Sequence, residues 1–160
     1  MEMEPALKSV RVARAYMKSK IDDLSHEQLL LVPQGATNNV LWNIGHIVLS
    51  HYRLAYRPSG GTVPVPQTWE GWFLPGTSPD KWGATGPSIG NVLSEFEAQT
   101  DRIESDFRRG AFENYKPFKL KSGFTLDTIA EALSFNVMHE GIHIGAIIAL
   151  RHQMGHGDAE

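Results

Sequence analysis

The chain has 160 residues, 41% hydrophobic and 21% charged, with a net charge of −3. That is the size of one globular domain, long enough to bury roughly 70% of its unfolded surface without a disulfide or metal. The acidic balance argues against a nucleic-acid binder. The absence of cysteine removes cysteine nucleophiles, iron–sulfur clusters, Cys-type zinc sites and disulfide frameworks together. The opening Met1-Glu2-Met3-Glu4-Pro5 has no basic stretch followed by an apolar one, so no leader is expected. No apolar run approaches the ~20 residues of a membrane span. A cytoplasmic protein, one domain over residues 1–160, is expected.

Four segments carry helical periodicity. In residues 5–22, Leu7, Val10, Arg14, Met17 and Ile21 form one stripe, and Pro5 suits a first turn. Ser25-His26-Glu27-Gln28 reads as a capping box opening a short turn. The second helix spans about 38–57, with Asn38 as N-cap. Leu41, Ile44, Val48 and Tyr52 make its apolar stripe, beside Trp42, His46 and Leu49. Residues 58–87 hold six of the nine prolines, which excludes a long helix there. The same stretch holds Trp69, Trp72, Phe73 and Trp82. A solvated linker would not carry them, so it should pack on the helices, with one turn near residues 69–74.

The third helix starts at Ser88, an N-cap, and runs through Ile89, Val92, Leu93, Phe96, Ile103 and Phe107 to a Gly110 C-cap. Residues 111–124 are irregular and read as extended. The fourth helix spans about 125–155 and is apolar on most sides, the mark of a buried helix. The expected fold is all-α: a four-helix bundle, up-down-down-up. A long crossover between helices two and three lets those two run parallel.

The chemistry concentrates in His139-Glu140-Gly141-Ile142-His143. Histidines at i and i+4 project from one helix face, close enough to grip one metal ion. Burying two imidazoles without partners is costly, and a divalent metal would satisfy them. The string also fits the metalloprotease pattern H-E-x-x-H. However, Ala146 and Ala149 stand where the extended pattern needs Gly and His, and no downstream Glu is suitably placed. A di-iron carboxylate bundle needs a second E-x-x-H and further glutamates; helix two offers Asn43-Ile44-Gly45-His46 instead. A mononuclear site needs a third ligand. His51 lies about 140° further round the helix than His46, and His152 points away from the pair. His46, in a half-apolar helix, is the best candidate.

These residues resemble the DinB/YfiT-like family of metalloenzymes. Three stretches carry the likeness in order: NNVLWNIGHI at 38–47, GTSPDKW running on to Pro87-Ser88, and NVMHEGIHIG at 136–145, closing with residues 150–155. The resemblance implies a four-helix bundle holding one divalent ion on His46, His139 and His143, and a homodimer. Ala146 stands where relatives often carry Gln. Similar proteins include thiol-dependent S-transferases and isomerases, so a low-molecular-weight thiol is an expected cosubstrate. Three neutral imidazoles leave the ion an open position and nearly its full charge, which activates a water or thiol. The ligand set admits Zn, Ni, Fe or Mn.

Two functions follow: a metal-dependent transferase or hydrolase acting on a small electrophilic substrate, or a non-catalytic, stress-related metal-binding dimer. Glu140 is a candidate catalytic base, with an interhelix contact as its plainer role. Asn39, Trp42, Asn136, Trp69, Trp72 and Trp82 are candidate pocket residues. Neither a nucleic acid nor a membrane is an expected partner. The densest basic group, Lys8, Arg11, Arg14, Lys18 and Lys20, reads as a solvated face.

Overall fold

The chain folds around helices whose starts are written in their caps. The computed structural model describes residues 3–157, so the two ends of the expected 1–160 domain lie outside the described residues. The helices are α1 (Met3–Ser19), α2 (His26–Leu30), α3 (Val40–Tyr56), α4 (Thr68–Phe73), α5 (Ile89–Arg108) and α6 (Ile129–Gln153). Ser25 and Gln28 cap α2 reciprocally, as the capping box requires. Ser88 accepts from the Asn91 N–H at the start of α5. The cap of α3 is Asn39 rather than Asn38: its side chain accepts from the Trp42 N–H.

Cross-helix contacts fix the directions of the four long helices. Arg14 meets Glu140 and the Lys20 carbonyl meets Arg151, so α1 and α6 run parallel. Arg11 meets Asp101 while Lys18 meets Glu97, so α5 opposes α1. Asn43 meets His143 and His46 meets His139, so α3 opposes α6. Val48 meets Gln99 and Tyr56 meets Asp106, so α3 and α5 run parallel. The bundle is up-down-down-up. The segment joining α3 to α5 carries α4 and two single 3₁₀ turns, Pro79–Lys81 and Gly83–Thr85.

The core is built from the expected stripes: Leu7, Val10 and Met17 of α1, Leu41, Ile44, Val48 and Tyr52 of α3, Val92, Phe96 and Ile103 of α5, and Leu133, Ile144 and Ile147 of α6. Phe107, expected on the α5 stripe, is instead exposed near the helix end. Arg11 pairs with Asp101 and Glu104, Lys18 with Asp22 and Glu97, and Arg14 is buried. Three of the five basic residues of that group, Arg11, Arg14 and Lys18, are therefore tied into the bundle.

Two boundaries differ from expectation. The first helix ends at Ser19 rather than near residue 22, its last turns tightening over residues 20–24. The last helix begins at Ile129, not near residue 125, because residues 125–126 pair as a strand. The strands β1 (Phe118–Lys119) and β2 (Thr125–Leu126) form a small antiparallel hairpin, Phe118 opposite Leu126. Gly123, at φ +93°, turns between them, and Thr128 then caps α6. By length and composition alone, α6 is apolar enough to cross a membrane, contrary to the sequence-level expectation. It nevertheless buries Glu140 and Arg151 in ion pairs against α1 and the turn after it, while Met138 and Ile142 stay exposed, so it packs on the bundle by one face and is not buried all round as its composition suggests.

Candidate metal centre

The antiparallel crossing of α3 and α6 brings His46, His139 and His143 together. His139 Nε2 lies 3.3 Å from His46 Nε2 and 3.2 Å from His143 Nε2. All three ligand atoms fall within 4.8 Å of one another. A tetrahedral ion with bonds of about 2.05 Å to nitrogen has ligand atoms roughly 3.3 Å apart. The two spacings that involve His139 match that value.

Partners behind the rings orient two of the three. His46 Nδ1 donates to the Phe73 carbonyl at 2.7 Å, and His143 Nδ1 donates to Asn43 Oδ1 at 2.8 Å. Donation through Nδ1 leaves the Nε2 lone pair free to face the centre. His139 Nδ1 is buried without a partner. Burial lowers the pKa of all three rings, to about 4 for His139 and about 3 for His143; neighbouring imidazoles push the same way on those two, while the Phe73 carbonyl partly opposes the shift of His46. All three are neutral near pH 7, the form that binds a metal. Trp42 stacks on His46, with ring centres 4.8 Å apart and planes 11° from parallel. Its indole N–H donates to Thr77 Oγ1, so the wall of the site is anchored to the crossover segment.

Gly45 decides how close that segment can come. A Cβ there would lie 2.4 Å from the Phe73 ring, which is fully buried. Phe73 in turn supplies the carbonyl that holds His46. The Gly45→Ala variant should therefore lose about 1–3 kcal/mol from overpacking, and metal affinity should fall with it. Urea unfolding and a chelator competition on the same variant check both; an unchanged affinity would detach Phe73 from the site.

The other expected site residues fall in three places. Glu140 points away from the three rings into the bundle, where Arg14 Nε donates to Oε1 at 2.5 Å. His51 Nε2 is 3.2 Å from the same oxygen, off the line of a hydrogen bond. Arg14 also donates to the Phe96 carbonyl and to Gln99 Oε1, and its Nη2 approaches His51 Nδ1 at 3.2 Å. Burial pushes the Glu140 carboxyl pKa up, and the Arg14 charge pulls it back. Asn136, one turn before Glu140, is buried with both side-chain polar atoms unpaired. Asn39 is spent on the α3 cap and the Leu30 carbonyl. Trp69, Trp72 and Trp82 gather on Phe73 in edge-to-face contacts. None of these three lines the two cavities beside the histidines.

Sequence reasoning missed Asn43 and the Phe73 carbonyl as orienting groups. For Asn43 a signal existed: it is a polar side chain on an otherwise apolar helix, three residues before His46. For a backbone carbonyl in the crossover there was none.

A four-helix bundle whose second and fourth long helices bring three neutral imidazoles together could hold a metal ion on histidines. The chain belongs to the DinB superfamily, whose family model matches residues 10–147. Among solved structures it is similar to YfiT from Bacillus subtilis, described as a probable metal-dependent hydrolase with an unusual four-helix bundle topology. That likeness has a TM-score of 0.61 at 17% identity, and covers 97% of this chain and 89% of YfiT. No curated protein matches the chain.

Proposed function

We propose that this protein is a metal-dependent enzyme in which a water or a small thiol attacks a small electrophilic substrate beside His46, His139 and His143. The observation that carries the reading is the convergence of three Nε2 atoms, neighbours 3.2 and 3.3 Å apart, on rings kept neutral by burial. A divalent ion on such a set supplies Lewis acidity and makes a water or thiol nucleophilic near neutral pH. Zn, Ni, Fe and Mn all suit imidazole ligands. The chain's own residues do the rest. Phe73 and Asn43 hold two rings in the ligating tautomer, Trp42 closes one side against solvent, and Ser50 Oγ stands 3.3 Å from His46 Nε2 on the open side. The description of YfiT as a probable hydrolase favours water as the first nucleophile to test.

A cytoplasmic homodimer is part of the same proposal. Along the outer face of α6, Ile142 is exposed and Gly141, Gly145 and Ala149 let another helix approach closely.

The experiment is reconstitution of metal-free protein with zinc, nickel, iron(II) or manganese, one at a time, followed by metal analysis. The loaded forms then meet small esters, lactones and epoxides, with and without a low-molecular-weight thiol. One ion per chain and metal-dependent product are expected; sulfur in the product identifies a transferase and its absence a hydrolase. A loaded protein without turnover would support the non-catalytic, stress-related binding protein instead. Failure to hold any of the four metals would end both readings.

A further inference from the structure

The histidine cluster opens onto two cavities that share a wall. One, about 350 Å³, follows α3 from His46 past Ser50 and Arg53 to Arg57. The other, about 850 Å³, lies between α6 and the β1–β2 hairpin, against Phe124, Leu126 and Met138. Pro75, Lys121, Phe135 and His139 line both. Each volume is in the range of small-molecule sites.

The two walls differ in chemistry. In the first cavity Arg53 and Arg57 share one carboxylate, that of Glu70, which leaves one positive charge in excess. Lys121, at the junction, is exposed and has no ion-pair partner among the described residues. The second cavity is walled by apolar side chains that the fold leaves in water: Phe124 is 76% exposed and Met138 54%. Its one acid, Glu131, accepts from the Asp127 N–H at 2.7 Å. Arg53 follows His46 by two helical turns, roughly 10 Å, and long helical side chains lean back toward the N-terminus.

We propose that the cleft takes a small amphipathic organic anion. Its acidic group faces Arg53, Arg57 and Lys121; its apolar body lies on Phe124, Phe135 and Met138; the bond to be attacked sits between them, over His46 and His139. The inference rests on the histidine cluster being the reacting centre, and it narrows the substrate class of that centre. Cations are disfavoured by three basic side chains against two carboxylates, Glu70 and Glu131. Purely polar molecules would leave the aromatic wall wet.

The test is calorimetric titration with acetate, hexanoate, octanoate, octanol and octylammonium. It is run on chelator-stripped protein and on zinc-loaded protein, with zinc content measured on the same samples. Octanoate should bind both forms and octylammonium neither. Affinity should rise roughly two- to fourfold per added methylene. Lys121→Glu should weaken octanoate about tenfold and Phe124→Ser should flatten the chain-length dependence; both sites are exposed, and thermal melts check that both variants fold. The proposal is overturned if octanoate binds neither form, or if octylammonium binds equally well. It is also overturned if octanoate binds only with zinc and no better than acetate, since the carboxylate would then be on the ion. Zinc uptake without octanoate binding would remove this inference and leave the metal site. Octanoate binding without zinc uptake would do the reverse.

Discussion

Replacing Glu140 with alanine is expected to destabilise the fold by about 3–5 kcal/mol, the cost of removing one partner of a buried ion pair. The Arg14 side chain is 8% exposed and that of Glu140 0%. Removing the carboxylate strands a guanidinium with only neutral acceptors, the Phe96 carbonyl and Gln99 Oε1. For a domain of this size, such a loss lowers Tm by about 6–20 °C. Glu140→Gln should cost less, because an amide oxygen can still accept from Arg14. The double variant Arg14→Met, Glu140→Met should recover much of the loss, since an apolar pair of similar volume carries no desolvation penalty. Urea unfolding at pH 7 reads all three. A Glu140→Ala variant within 1 kcal/mol of the parent would mean that water reaches the pair. Metal affinity of the Glu140→Gln variant gives a second reading. If Glu140 acts only between helices, affinity stays unchanged while stability falls; a base near the reacting centre would instead show in turnover of the loaded protein.

That pair also marks where sequence reading stops. The bundle was legible because its signals are local. Three- and four-residue spacing gave the core stripes, and Ser25, Ser88 and Pro58 marked starts and stops. The i, i+4 histidines were legible for the same reason: one helix face fixes their geometry before any tertiary contact forms. Arg14 was visible twice in contradictory guises, once on an apolar stripe and once in a basic group. Its partner lies 126 residues away, and nothing local links them. Two-residue strands carry no periodicity, so the sequence pattern alone starts the fourth helix four residues before Ile129. The roles of Gly45 and Asn43 at the site cannot be read from the sequence, because they are set by what packs on them. Phe73 meets Gly45 across the crossover, and His143 meets Asn43 across the bundle. The sequence offers residue types; the packing of α4 on α3 and of α6 on α3 turns them into neighbours.

Substitution in the histidine cluster should separate ligands from the groups that aim them. Structural zinc sites with four ligands are worth about 10–16 kcal/mol. Shared equally, one ligand accounts for roughly 2.5–4 kcal/mol, so His139→Ala or His143→Ala should weaken zinc on the order of 100- to 1000-fold. His46→Ala should match them, although it comes from a different helix. Asn43→Ala removes no ligand. It frees the His143 ring to turn and to change tautomer, and should cost about 10–100-fold. The order matters more than any single value, because a cluster of three core histidines that held no ion would show none. Its histidine variants would alter stability and leave zinc uptake equally weak throughout. Competition against a chromophoric chelator at pH 7 measures the series. At that pH the rings are already neutral, since burial holds the pKa of His139 at about 4 and that of His143 at about 3. Zinc uptake by the folded protein should therefore release almost no protons from these two imidazoles, and a two-buffer calorimetric titration reads that directly. A release approaching one proton per ring would mean that the imidazoles are protonated in the metal-free fold, and that the site is far wetter than its packing against Trp42 and Phe135 implies.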